Sequence, residues 1–329
     1  VKKGAYIMEK FGWTFLGCGG IAHTVANQLK GAGDMEIVSC WNRTQGRAEK
    51  FAKKYGAEAF ASAKQAIAAE GVRAAYIAVT ANRHYDLAAM CIERGVPVLC
   101  EKPFTVNFAQ AEKLFALARE RGVYMAEAMW TWYNLPALKV REWVRAGLVG
   151  DITSVSAVYA LPVLPFAENP RHRSPQLIGG ALMDVGIYPI RYAYELFGMP
   201  QKISCTGSLE GGVDYTENVR MQYEGFAADI FISRRKAAGE RFVICGTRGR
   251  IVVPFFHMAA RARLCGEVRE RVCDRSKKYL TELRRVAEEI TAGRTESAYC
   301  PAQSTLDTMK LLDSCRRDLG LVYPCENQS

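Results

Sequence analysis

The chain reads as an α/β protein in two parts, a doubly wound parallel sheet followed by an α+β region on an antiparallel or mixed sheet, and three observations predict it. Through the first third, short apolar runs alternate with helical stretches, the βαβα pattern of a sheet wound on both faces. From about Ala128 strand follows strand with only turns between them, as in an antiparallel or mixed sheet. A glycine-rich turn joins the first strand to the first helix, where sheets of the first kind hold a dinucleotide. With 329 residues, 49% of them hydrophobic, the chain is long enough for two cores.

Each element has a local reason. Residues 13–16 and 36–41 are apolar runs, and 21–30 and 45–55 have helical periodicity, which makes one βαβ unit. A second follows, with strand 73–79, helix 84–94, strand 96–100, helix 108–121 and strand 123–127. Residues 138–146 are helical, after which 152–161, 203–208, 218–223, 226–234, 240–245 and 249–253 read as strands. The segments 280–291 and 302–319 are helical again. The change of character divides the chain into domains over 8–127 and 128–329. Neither an internal repeat nor a low-complexity linker separates them, so they are expected to pack closely.

Composition removes several function classes. The 11 cysteines are odd in number and scattered, without a C-x-x-C pair, so neither a zinc site nor a disulfide framework is indicated and a reducing cytoplasm is expected. Lys2, Lys3 and Lys10 before the apolar stretch 11–22 imitate a signal peptide, but Gly17, Gly19 and Gly20 interrupt it, and residues before Met8 read as a leader. No run reaches the roughly 18 to 20 apolar residues of a membrane span. The formal charge of +10 raises nucleic-acid binding, yet the excess lies between Arg261 and Arg285 with few aromatics and reads as a solvated face. A basic protein also suits an anionic cofactor.

Four segments carry the chemistry. Gly17-Cys18-Gly19-Gly20-Ile21-Ala22 is a G-x-G-x-x-A turn. Gly17 permits the tight turn, Gly19 and Gly20 let backbone N–H groups approach a pyrophosphate, and small Ala22 lets helix pack on strand. At the end of the second strand stand Asn42, Arg43, Thr44 and, a little further on, Arg47. Enzymes that use NAD usually place an acidic residue here for the ribose hydroxyls, whereas a neutral residue followed by arginine accepts a 2′-phosphate, so NADP(H) is favoured over NAD(H). Thr80, Asn82 and His84 end the next strand. Asn82 has the plain role of helix cap, and His84 either lines the nicotinamide or ribose site or is structural.

Glu101-Lys102-Pro103 follows the apolar run 96–100, so Lys102 belongs at the carboxyl end of a buried strand, where open parallel sheets bind ligands. In the block 179–189, a helix puts Asp184 and Tyr188 on one face at i and i+4, and Gly186 leaves room for a close neighbour. Beside a lysine this is a proton-transfer set, in which Lys102 lowers the pKa of Tyr188 and polarises a carbonyl oxygen. Taken alone, Asp184 and Tyr188 also fit an ordinary core hydrogen bond.

Together these segments resemble the Gfo/Idh/MocA oxidoreductases over nearly the whole chain, about residues 11–326. The carrying pieces are 17–23, Glu101-Lys102-Pro103, Glu127-Ala128-Met129-Trp130-Thr131, the block 179–189 and the closing Leu319-Gly320-Leu321-Val322-Tyr323-Pro324. Within the family the chain is similar to the dimeric dihydrodiol dehydrogenases and NADP-dependent sugar dehydrogenases, in which tyrosine replaces the more common histidine four residues after the aspartate. The resemblance implies a Rossmann domain, then a domain on an open, largely antiparallel sheet whose exposed face makes dimer contacts. It also implies that Lys102 assists proton transfer, that Tyr188 is the acid/base and that Asp184 orients substrate or a catalytic partner.

Two departures bear on the pocket. Trp132 stands where arginine is frequent and Gln176 where glutamate is common, both near the expected site. Arg171, His172 and Arg173 suit an anionic or polyhydroxylated substrate or, more simply, a solvated loop, and specificity is expected in loops 162–177 and 255–270. The function expected is NADP(H)-dependent hydride transfer on a sugar, polyol or cyclic diol. Two alternatives stand beside it: a redox-cycling, NAD-dependent glycoside-cleaving enzyme, and a non-catalytic dinucleotide sensor.

Overall fold

The structure, a computed structural model, describes residues 10–162 and 170–328. Part of the expected specificity loop, residues 163–169, therefore lies outside the described residues, as do residues 1–9.

The first sheet contains β1 (Phe11–Leu16), β2 (Met35–Trp41), β3 (Glu58–Ala59), β4 (Ala74–Ile77), β5 (Val98–Glu101) and β6 (Met125–Ala128). All pairs are parallel, in the order β3-β2-β1-β4-β5-β6. β1, β4, β5 and β6 are buried at every position. That is what a parallel sheet covered on both faces requires, and it explains why these strands read as unbroken apolar runs. The helices α1 (Gly20–Leu29), α2 (Gln45–Tyr55), α3 (Ala63–Ile67), α4 (His84–Glu93) and α5 (Phe108–Arg121) make the crossovers. Strand order reverses between β1 and β4, so a crevice opens at their carboxyl ends.

After α6 (Leu135–Arg145) come β7 (Ile152–Ala160) and the helix α7 (Ile187–Phe197), then β8 (Lys202–Glu210), β9 (Val213–Gln222), β10 (Ala227–Ser233), β11 (Gly239–Gly246), β12 (Gly249–Pro254), β13 (Arg261–Gly266) and β14 (Glu270–Cys273). They form one eight-stranded sheet, antiparallel except for the parallel pair β7 and β10. Here two expectations need correction. The expected loop 255–270 contains β13 and the start of the edge strand β14, with Ala262 and Leu264 buried and Arg261 and Arg263 exposed. The charges masked a period of two. β9 also begins at Val213, five residues before the expected start.

The last helices, α8 (Lys278–Thr291) and α9 (Ala302–Leu319), return toward the first sheet. Gln28 Oε1 on α1 accepts from the backbone N–H of Tyr279 at 3.0 Å, and Tyr124 donates to Glu289 Oε2 at 2.7 Å. Tyr279 is thereby held against α1. Among the described residues no helix is long and apolar enough to cross a membrane.

Candidate active site

The glycine turn sits between β1 and α1. Gly17 has φ +107°, and a Cβ there would lie 2.5 Å from the carbonyl oxygen of Ala78, so only glycine fits. At Gly19 and Gly20 a Cβ would meet no protein atom within 4 Å. The protein's own packing therefore does not demand these two glycines; the space a side chain would fill is the cradle over the amino end of α1 that suits a pyrophosphate. Ala22 is fully buried against the sheet.

Asn42 braces this turn. Its Oδ1 accepts from the N–H of Cys18 at 3.2 Å while its Nδ2 donates to the carbonyl of Thr44 at 3.1 Å. Arg43, Thr44 and Arg47 are exposed just beyond β2. Thr80 precedes the short turn Ala81–Arg83. Asn82 does not cap the helix that follows, and its buried Oδ1 has no partner among the described residues.

Of the two roles open to His84, lining the nicotinamide or ribose site or a structural one, its surroundings fit the structural one. It is 1% exposed, with Nδ1 3.0 Å from the carbonyl oxygen of Pro103 and Nε2 3.3 Å from that of Val79. It fastens the loop after Lys102 from behind. Burial pushes its imidazole down to about 4, so it is neutral at pH 7. The folded value is depressed, so the stability tied to this neutral ring is present above the unfolded value near 6.5 and is lost as pH falls toward 4. We predict a loss of about 3 kcal/mol across that window. Urea titrations at pH 7 and 4.5 check it: His84→Gln should flatten the pH slope, and an unchanged slope would place the titration elsewhere.

A cleft of about 710 Å³ runs from this turn to the second sheet, lined among others by Ile21, Glu101, Lys102, Asp184 and Tyr188. Glu101 is 7% exposed, accepts from Tyr76 at 2.5 Å, and is pushed up by burial. Lys102 Nζ, just past β5, donates to the carbonyl oxygen of Asp184 at 2.6 Å and to its Oδ1 at 3.1 Å. It lies 4.9 Å from the centre of the Tyr188 ring. Residues 182–186 wind as a π-helical turn leading into α7. Gly186 does make room for a neighbour, since a Cβ would stand 2.9 Å from Ile232 Cδ1.

Electrostatics correct one detail. Burial pushes the carboxyl of Asp184 up, but the cations of Lys102, Arg234 and Arg171 outweigh it, and Asp184 is held well below the usual carboxylate range. Tyr188 moves opposite to the direction predicted. Burial, with Tyr279, Tyr159 and Glu101 nearby, drives its phenol well above the ordinary value, against a small opposing effect of the bond from Trp130 Nε1 at 3.2 Å. Lys102 pairs with Asp184, and burial keeps the proton on Tyr188.

The cleft also holds residues that no sequence pattern singled out as site residues: Tyr159, Arg234, His257, Tyr279 and, from the motif 127–131, Trp130. Trp130 and Tyr279 stack at 4.2 Å and 4°. Arg234 bonds Asp184 Oδ2 directly. His172 Nδ1 is 3.7 Å from the same oxygen, and burial with the neighbouring cations pushes its ring down to about 4. Arg171 lines the cleft too. The two departures do not reach it. Trp132 is 1% exposed, packed on Tyr192 at 4.9 Å, and Gln176 is exposed, its Oε1 accepting from Ser174 at 2.9 Å.

Sequence comparison bears on this geometry. The profile of the oxidoreductase family with NAD-binding Rossmann fold, GFO_IDH_MocA, matches residues 11–128, and that of the GFO/IDH/MocA C-terminal domain matches 137–252. The scyllo-inositol 2-dehydrogenase (NADP(+)) IolU of Bacillus subtilis is 29% identical over 89% of this chain and 92% of its own. The trans-1,2-dihydrobenzene-1,2-diol dehydrogenase of Xenopus laevis is 30% identical over 74% of this chain and 75% of its own. Among solved structures, KijD10, a 3-ketoreductase from Actinomadura kijaniata in complex with NADP and TDP-benzene, superposes with a TM-score of 0.84 at 23% identity, covering 94% of this chain and 98% of that one. Matches to both parts of the chain agree with the glycine turn at the switch point and the lysine at the end of β5: the chain belongs to the Gfo/Idh/MocA oxidoreductase family.

Proposed function

We propose that the protein is an NADP(H)-dependent oxidoreductase that interconverts a carbinol and a carbonyl on a sugar, polyol or cyclic diol, with Lys102 and Tyr188 assisting proton transfer. One observation carries this reading: Lys102 Nζ, at the end of β5 in a cleft continuous with the glycine turn, pairs with Asp184 and faces the Tyr188 ring at 4.9 Å. When bound, the nicotinamide supplies or accepts the hydride. Gly17, Gly19, Gly20, Ile21 and Ala22 are suited to its pyrophosphate, and Arg43, Thr44 and Arg47 to the 2′-phosphate. Relatives named for NADP support that choice, with NAD(H) as the weaker partner.

In the reducing direction Tyr188 holds a proton that leaves only when an adjacent oxygen gains negative charge, because its buried phenolate is unstable until then. Lys102, fixed by Asp184, supplies positive charge beside that oxygen. Stacked Trp130 and Tyr279 keep water from one wall. Residues 8–127 serve as the dinucleotide-binding part and 128–329 as the substrate part, whose open sheet face joins a second copy. A sedimentation measurement showing only monomer would remove the dimer from this proposal.

The test is titration with NADPH and NADH followed by a carbonyl panel. Exchangeable binding with NADPH preferred and turnover of a sugar or diol substrate is expected. Tightly co-purifying NAD(H) with cleavage of a glycoside would turn the reading toward the redox-cycling enzyme, and NADPH binding without any turnover toward a sensor. Arg43→Ala should weaken NADPH by about 10-fold or more, as for loss of a charge-assisted bond, and leave NADH unchanged. Tyr188→Phe should lower turnover by about 10²-fold or more with cofactor binding intact.

A further inference from the structure

The cleft wall beside Tyr188 carries a hydrogen-bonded chain that the proton-transfer set does not use. Glu240 on β11 stands opposite Tyr159 on β7 in the antiparallel register. Its Oε1 accepts from the backbone N–H of His257 at 3.0 Å and lies 2.6 Å from His257 Nδ1. Glu240 is 6% exposed, and its Oε2 has no partner among the described residues. The His257 turn is held from the other side by Thr131, whose hydroxyl donates to the His257 carbonyl at 2.7 Å.

With a neutral His257 ring, the direction of each bond follows from Glu240. A carboxylate only accepts, so Nδ1 of His257 carries the proton and, in the neutral ring, Nε2 keeps its lone pair. The Tyr159 hydroxyl, 3.3 Å from Nε2, then donates to it. Its phenol oxygen is left with acceptor capacity alone. Tyr159 and His257 both line the cleft, with ring centres 6.1 Å and 5.2 Å from that of Tyr188, close enough for two hydroxyls of one small molecule to reach both phenols.

We propose that Tyr159, oriented by His257 and Glu240, is a specificity-determining residue that accepts a hydrogen bond from a second substrate hydroxyl beside the one that reacts at Tyr188. The assignment rests on the dehydrogenase reading and narrows its substrates to those with two neighbouring hydroxyls. The chain acts by orientation: without the acceptor at Nε2, the Tyr159 hydroxyl turns freely and loses its preference for a donor.

The test compares trans-cyclohexane-1,2-diol with cyclohexanol, by calorimetric binding to protein saturated with NADP+ and by oxidation followed as NADPH fluorescence. The wild type should prefer the diol. Tyr159→Phe should cut that preference about fivefold to tenfold, the range for one hydrogen bond, with affinity for cyclohexanol and NADPH unchanged. His257→Asn keeps a donor toward Glu240 but removes the acceptor, and should give the same loss, with no further loss in the double variant. A diol preference that both single variants leave intact overturns the assignment, as does a wild type that binds the diol no better than cyclohexanol. A binding preference that Tyr159→Phe abolishes, with neither alcohol oxidised, supports the assignment while overturning the dehydrogenase reading.

Discussion

Lys102→Met should lower kcat by about 10² to 10⁴-fold, the range for removing a group that assists proton transfer, while NADPH titrates as in the wild type. The reason is local. Nζ lies 4.9 Å from the centre of the Tyr188 ring and is held there by two bonds to Asp184. Methionine preserves the length and apolar stem but supplies no charge. Because the glycine turn and the β2 end are untouched, cofactor affinity isolates the chemical step. Full turnover with normal NADPH binding would falsify the role given to Lys102.

The second large effect is at Asp184. Its carboxylate meets Lys102 and Arg234 with His172 at 3.7 Å, all with side chains under one-fifth exposed. Asp184→Ala leaves two half-buried cations without this partner, and breaking such a pair should cost about 3 kcal/mol, below the roughly 5 of a fully buried pair. Urea unfolding should show that loss, and turnover should fall as Lys102 is released. Asp184→Asn keeps the shape and one acceptor oxygen, so it should recover part of the stability but little of the activity. Equal stability of wild type and Asp184→Ala would mean that the cations are already solvated.

Much of the fold was legible because its signals are short-range. Apolar runs at 73–79, 96–100 and 123–127 mark strands buried on both faces, and the structure places β4, β5 and β6 there. β13 escaped notice because Arg261 and Arg263 alternate with Ala262 and Leu264 in a stretch dominated by charge. Lys102 was found because it directly follows a strand end. Arg234 and His257 were not, since each belongs to the cleft only through pairing of distant strands: β10 runs parallel to β7, and β11 antiparallel to it.

By itself the sequence determined the alternation of strands and helices, the glycine turn at the head of α1, and the positions of Lys102, Asp184 and Tyr188, all of which follow from patterns a few residues long. Tertiary structure decided the electrostatics and the company these residues keep. Lys102 and Asp184 are 82 residues apart and Arg234 and Asp184 are 50 apart, so their pairing exists only once the sheets meet. Burial then decided the protonation of Tyr188 and His84, because the cost of a charge depends on how much water remains around it, and no local pattern records that.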